Sequence, residues 1–197
     1  VSRDADADWL KGVHDFVSGF DEKVDTWENL LTNNRIWRIR NEGVGVIPRD
    51  MAISYGLTGP VLRGSGVAYD VRKDRPYSFY DKVDFDIPVG QHGDCYDRYL
   101  VRIEEMRQSA RIVKQVIEMM PDGPILADEP KYVLPAKQGV MTGMDEQSHH
   151  FMLITGEKDT PNVEGHSHTE LPKGERGYII RSEGGAAPWR LKLRSPS

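Results

Sequence analysis

The stretch Asp94–Met120, DCYDRYLVRIEEMRQSARIVKQVIEMM, decides how the rest of the chain is read. It predicts one long helix. Asp94 is placed to cap the start, because its carboxylate can accept from the free N–H groups of a first turn. Tyr96, Tyr99, Ile103, Met106, Ala110, Val113, Ile117 and Met120 recur at alternating three- and four-residue steps and form one apolar seam. A second seam, about 100° around the helix, ends on Ile112, Val116 and Met119 but begins with Arg98, Arg102, Glu105 and Ser109. A helix with two seams has neighbours on two sides. Charges buried there without partners would cost several kcal/mol each. Two arrangements satisfy this constraint: the first half of the helix emerges into solvent, or Arg98, Arg102 and Glu105 form a paired polar row at a cavity or subunit interface. Glu105 lies one turn from Arg102, a spacing that permits pairing.

Upstream, residues 8–31 place Leu10, Val13, Val17, Phe20, Val24, Trp27 and Leu31 in a narrow stripe that predicts a single bundle helix, with Asp6 or Asp8 as cap. Residues 33–93 are rich in glycine and proline and show no sustained period. Within them PRDMAISYG (48–56) predicts a short helix between Pro48 and Gly56. The glycines of GLTGPVLRGSGVAYD predict tight turns; the segment lacks the GK[ST] of a phosphate loop and any long strand before it. Downstream, MDEQSHHFMLIT (144–155) predicts a short helix, and GERGYIIRSEGGAAPWRLKLR (174–194) predicts two strands joined at Gly184–Gly185. The fold class expected is α+β: long bundle helices, Gly-rich irregular segments and a C-terminal β-hairpin.

The composition narrows function. A chain of 197 residues with 38% hydrophobic and 29% charged residues has a globular composition, not that of a disordered chain. A net charge of −5 excludes a general nucleic-acid binder, which needs a basic surface for phosphates. The one cysteine, Cys95, excludes an intrachain disulfide and fits a reducing compartment. No run approaches the ~20 apolar residues of a membrane span, so a membrane role is expected to be peripheral, through partners. No metal is expected: His149 and His150 diverge on a helix, and His166 and His168 lack a companion cluster with ligand spacing. Cys95 sits at a helix start that favours a thiolate, but Asp94 and Asp97 oppose it, so a structural role is expected. The aromatic run RPYSFYDKVDFD is too acidic for nucleic acid and reads as packing.

Several strings together resemble a known family. LLTNNRIW (30–37), AISYGLTGPVLRGSGVAYD (52–70), RKDRPY (72–77), FDIPVG (85–90), GDCYDRYLVRIEEMRQS (93–109) and PKGERGYIIRSEG (172–184) are similar to the D-type subunit family of respiratory complex I, the NADH–quinone oxidoreductase. The similarity runs from the first helix to LKLRSPS. It implies a fold like the large subunit of [NiFe] hydrogenases without the nickel site, on the cytoplasmic side of the membrane. It implies the B-type iron–sulfur subunit as partner, with the C-type and I-type subunits and the H-type membrane subunit. It also implies a shared cavity where quinone accepts electrons from a [4Fe–4S] cluster held by that partner, coupled to proton translocation, with no cofactor bound by this chain itself. The histidine and tyrosine that contact the quinone headgroup in this family lie outside residues 1–197, so no catalytic residue is assignable. The chain is therefore expected to be part of one domain, lacking an N-terminal domain and a C-terminal tail, and inactive alone. Arg98, Arg102 and Glu105 are expected to support the cavity or its proton coupling. Related membrane-bound hydrogenase or ferredoxin- or F420H2-dependent complexes use the same subunit architecture, and a non-catalytic assembly module is a third reading.

Overall fold

The computed structural model describes residues 4–129, 132–155, 160–185 and 187–196. Their contacts divide into two units: a larger one of Ala5–Pro121, His168–Gly177 and the end of the chain from Arg194, and a smaller one built from Asp122–Ser167 and Tyr178–Leu193.

The larger unit begins with α1 (Ala7–Ser18) and α2 (Phe20–Leu31), capped at Asp6, whose carboxylate accepts from Trp9 N–H at 2.7 Å. The stripe expected on one continuous helix is thus carried by two. The break falls at Gly19, where φ is −93° and ψ 7° and the N–H is shared between the carbonyls of Asp15 and Val17. Glycine is among the poorest helix formers, and Asp21 and Glu22 favour a fresh N-terminus just after it. Val17 and Val24 remain the buried members of the stripe. A Cβ at Gly19 would come no closer than 4.0 Å to another atom. Gly19→Ala is therefore expected to stabilise the chain by about 0.4–1 kcal/mol, chiefly by restricting the unfolded chain, as read from the denaturant midpoint.

Next come α3 (Arg35–Asn41), capped by Asn34, α4 (Arg49–Ser54), α5 (Gly59–Gly64) and α6 (Val71–Asp74), capped by Asp70. The helix expected after Pro48 is present. The segment expected to be turns is partly helical: Pro60 in the first turn of α5 supplies the fixed φ that starts a helix without needing an N–H. Helix α7 (Cys95–Glu118) realises the long helix. Asp94 caps it through Asp97 N–H at 2.8 Å, and its second oxygen accepts from Gly43 N–H at 2.8 Å, tying an upstream loop to the helix start.

Helix α7 contacts α1, α2, α3 and α5, the neighbours that its two seams require. Along the C-terminal half, Ile112 and Val116 pack on Val83, Phe85 and Tyr80. The polar edge of the same half holds the 84–86 segment alongside: Gln115 accepts from Asp84 N–H, Gln108 accepts from Asp86 N–H, and Arg111 pairs with Asp84 and Asp86.

In the smaller unit α8 (Lys137–Thr142) and α9 (Met144–Thr155) pack together, and α9 is the helix expected over 144–155. Strands β1 (Glu164–Leu171), β2 (Gly174–Arg181) and β3 (Arg190–Arg194) pair in that order, and their residues 168–171, 174–177 and 194 belong to the larger unit. The expected hairpin is β2–β3. Strand β1 extends it to three strands through the two-residue turn Pro172–Lys173, a connection that antiparallel neighbours allow. Helices and this small sheet make the chain α+β.

Candidate functional site

The chemistry of the larger unit concentrates on Arg63. This residue sits in α5 and is 1% exposed. Its Nε donates to Glu105 Oε1 at 2.7 Å, and Nη2 lies 2.6 Å from the same oxygen. Nη2 also donates to Glu170 Oε1 at 2.9 Å, while Nη1 donates to the Tyr69 carbonyl at 2.9 Å and approaches Asp70 Oδ2 at 3.4 Å. One planar guanidinium therefore joins α5, the cap of α6, α7 and β1. Only arginine presents a fork of donors able to do this.

Asp70 is fully buried as the cap of α6, accepting from Arg72 N–H at 2.9 Å. The Arg72 side chain folds back to bind both its oxygens, with Nη2 at 2.6 Å from Oδ2. Arg72 also lies 4.8 Å from the centre of the Phe85 ring, a cation–π contact that ties the ionic cluster to the apolar core. Burial pushes the Asp70 carboxyl up, but hydrogen bonds and charge from Arg72 outweigh it and hold the group below its ordinary value. Glu105 and Glu170 behave oppositely. Burial raises both, and the attraction of Arg63 offsets only part of that rise.

The β1–β2 turn is held by the cap of α5 and by two tyrosines flanking α6. Glu170 N–H donates to Tyr77 Oη at 3.0 Å, and Glu175 N–H donates to Thr58 Oγ1 at 3.1 Å. Tyr69 Oη donates to Glu175 Oε2 at 3.0 Å, and burial, foremost, with that bond pushes the phenol up to about 12.

Beside the cluster is a cavity of about 850 Å³. Val17, Phe20, Met106 and Val113 give it apolar walls, and Arg63, Glu105 and Glu170 contribute to its polar lining.

The three residues singled out on the helix seam part company. Arg98 is a structural clamp: its guanidinium donates to the carbonyls of Gly93 at 2.7 Å and Gly45 at 3.0 Å, and it lies 3.0 Å from Cys95 Sγ. Arg102 is exposed, lines the cavity, and donates to the Arg98 carbonyl at 3.2 Å. Glu105 also lines the cavity, but its counter-charge is Arg63, not the Arg102 one turn away. Sequence reading did not find Arg63, Asp70, Arg72 or Glu170. The available signal was a lone arginine among small and apolar residues in GPVLRGSG, where a solvated side chain has no reason to be.

His149 and His150 lie side by side on α9, and His166 and His168 lie two apart on β1. Among the described residues no group of three or more His, Cys, Asp and Glu side chains is arranged to hold a metal, and no helix is long and apolar enough to cross a membrane.

Comparison with known proteins supplies the context that this geometry lacks. The chain is 50% identical over 197 residues to the D-type subunit of the NADH-quinone oxidoreductase of Methylacidiphilum infernorum, covering 100% of this chain and 47% of that relative. It is 50% identical over 189 residues to the proteins of the same name from Burkholderia thailandensis and Burkholderia vietnamiensis, covering 95% of this chain and 45% of each. The chain thus spans about half the length of these curated relatives. The strings that build the cluster and its flanking helix fall inside the matched span, and all 197 residues match one family description. The chain belongs to the family of the respiratory-chain NADH dehydrogenase 49 kDa subunit.

Proposed function

We propose that this chain is part of the quinone-site core subunit of NADH–quinone oxidoreductase. In this reading it helps to form the cavity where quinone is reduced by electrons from a [4Fe–4S] cluster in the B-type iron–sulfur partner, coupled to proton translocation. The observation that carries the reading is the end-to-end match to D-type relatives at 50% identity. The subunit takes a fold like the large subunit of [NiFe] hydrogenases. It binds no redox centre of its own, and it lies on the cytoplasmic side of the membrane, held there by the B-type, C-type, I-type and H-type partners. In this family the groups that contact the quinone headgroup come from an N-terminal domain outside residues 1–197.

Within that frame Arg98, Arg102 and Glu105 have separable roles. Arg98 fixes the start of α7 through two backbone carbonyls. Arg102 and Glu105 bring opposite charges to a mostly apolar cavity. A quinone gains negative charge as it is reduced, and a fixed guanidinium near an apolar wall stabilises that charge more than water would.

The reading is tested in the assembled complex with Arg102→Met, which keeps the apolar stem and removes the charge. Quinone reduction is expected to slow about tenfold, equivalent to ~1.4 kcal/mol of transition-state stabilisation, while NADH oxidation by an artificial acceptor is unchanged. Arg102→Lys should recover most of the rate if charge alone matters. A wild-type rate in an intact Arg102→Met complex would refute the role of Arg102.

A further inference from the structure

The ionic cluster around Arg63 does not balance. Two cations, Arg63 and Arg72, face three carboxylates, Asp70, Glu105 and Glu170, joined by ion pairs of 2.6–3.4 Å. The Asp70 and Arg63 side chains are 1% and 2% exposed, and those of Glu170 and Glu105 4% and 15%. One negative charge is therefore in excess where water is largely excluded, which costs several kcal/mol unless it is neutralised.

Among the described residues no cation besides Arg63 and Arg72 forms an ion pair with these three carboxylates. Tyr69 directs its hydroxyl to Glu175, and Tyr77 uses its hydroxyl oxygen to accept the Glu170 N–H. Asp74 adds a further carboxylate, engaged by Asp70 N–H at 3.0 Å. Arg102 donates to the Arg98 carbonyl and Lys173 is exposed at the turn, and neither forms an ion pair with the three carboxylates. From α1 and α2 the cavity receives only Val13, Phe16, Val17 and Phe20.

The geometry also says where a neutralising charge belongs. Glu105 and Glu170 each turn one oxygen, Oε1, toward the same Arg63 Nη2. Glu170 Oε2 is buried and accepts no hydrogen bond from the described residues. An ionised carboxylate oxygen with no donor aimed at it is the costliest site for negative charge, and the site where a proton relieves most.

We propose that Glu105 and Glu170 together carry one proton, seated on Glu170 Oε2, making the Arg63 cluster a one-proton site beside the cavity. Asp70 stays ionised, clasped by Arg72. The burial-driven rise of both glutamates, opposite to the fall at Asp70, agrees with this division. The two carboxyls face the same Arg63 Nη2, so the charge on one decides whether the other keeps its proton. Release of the proton breaks one carboxyl O–H, forms one O–H on the accepting oxygen, and takes the cluster from neutral to singly negative. That the acceptor is the reduced quinone rests on the function proposed above.

The test is infrared difference spectroscopy of the assembled complex, wild type against Glu170→Gln and against Glu105→Gln. Each amide is isosteric with a protonated carboxyl and removes the excess charge. At neutral pH the wild type should carry one protonated-carboxyl band. Either substitution alone should abolish that same band, and the double substitution should remove nothing further. In the wild type the band should disappear as pH rises through the elevated range of the pair. Loss in neither variant, loss in only one, or two independent bands would each overturn the one-proton site. Should a variant fail to assemble, wild-type complex with carbon-13 glutamate confined to this polypeptide decides the matter: no labelled protonated carboxyl at neutral pH refutes the proposal. Quinone reduction is measured alongside. A wild-type rate with the band behaving as expected supports the proton site and sinks only its link to quinone.

Discussion

Arg63→Met is expected to destabilise the chain by about 3–5 kcal/mol, the range for breaking a buried ion pair by removing one partner. Methionine keeps most of the volume and the apolar stem, so packing loss is minor. What remains is Glu105, Glu170 and Asp70 facing one another with Arg72 as their nearest cation. The pH dependence has a definite sign. Glu105 and Glu170 already have folded-state pKa values above their ordinary value, so the folded state holds its proton more tightly than the unfolded chain. Stability then falls as pH rises from the ordinary glutamate range through the elevated folded values. Without Arg63 the carboxylates rise further, and the fall should be steeper and extend to higher pH. Urea midpoints across a pH series measure both effects. Arg63→Lys restores the charge but not the fork that reaches Glu105, Glu170 and the Tyr69 carbonyl together, so recovery should be partial. A loss below about 1 kcal/mol at neutral pH in Arg63→Met would show that the cluster contributes little to stability.

The second large effect is expected at Gly59→Ala. Gly59 has φ +66°, and a Cβ there would lie 2.4 Å from Gly174 Cα and 2.7 Å from Gly174 N. The left-handed conformation costs an alanine about 1–2 kcal/mol, and displacing packed backbone adds about 1–3 kcal/mol. The sum, roughly 2–5 kcal/mol, should appear as a lowered midpoint of unfolding. Gly56→Ala is the control: its φ is +64°, but its added Cβ would meet nothing within 4 Å, so it should cost only the conformational part. Equal losses at the two positions would show that close approach is not the cause. The consequence reaches the cluster, because the α5–turn contact holds β1, and with it Glu170, against Arg63. Gly59→Ala should therefore loosen the Glu170–Arg63 pair as well.

Several features of this protein were legible in local spacing. The Asp94 cap, the extent of α7, the helix after Pro48, α9 and the β2–β3 pair each depend on residues within a few positions of one another. Periodicity and capping report such features directly. The same reasoning missed the break at Gly19, because the apolar stripe runs through the interruption in register. It also missed β1, whose polar sequence EGHSHTEL becomes a strand through pairing with β2.

What the sequence determined by itself is that α7 carries two seams and that one of them includes charges needing either partners or water. Which partners they find was decided only by the tertiary structure. Glu105 pairs with Arg63, 42 positions away, and Arg63 reaches Glu170, 107 positions away. Helical period specifies the direction in which a side chain points and the cost of leaving it unpaired. It carries no information about which distant backbone arrives there, because that depends on close approaches such as Gly59 on Gly174, where two segments meet only after the chain has folded.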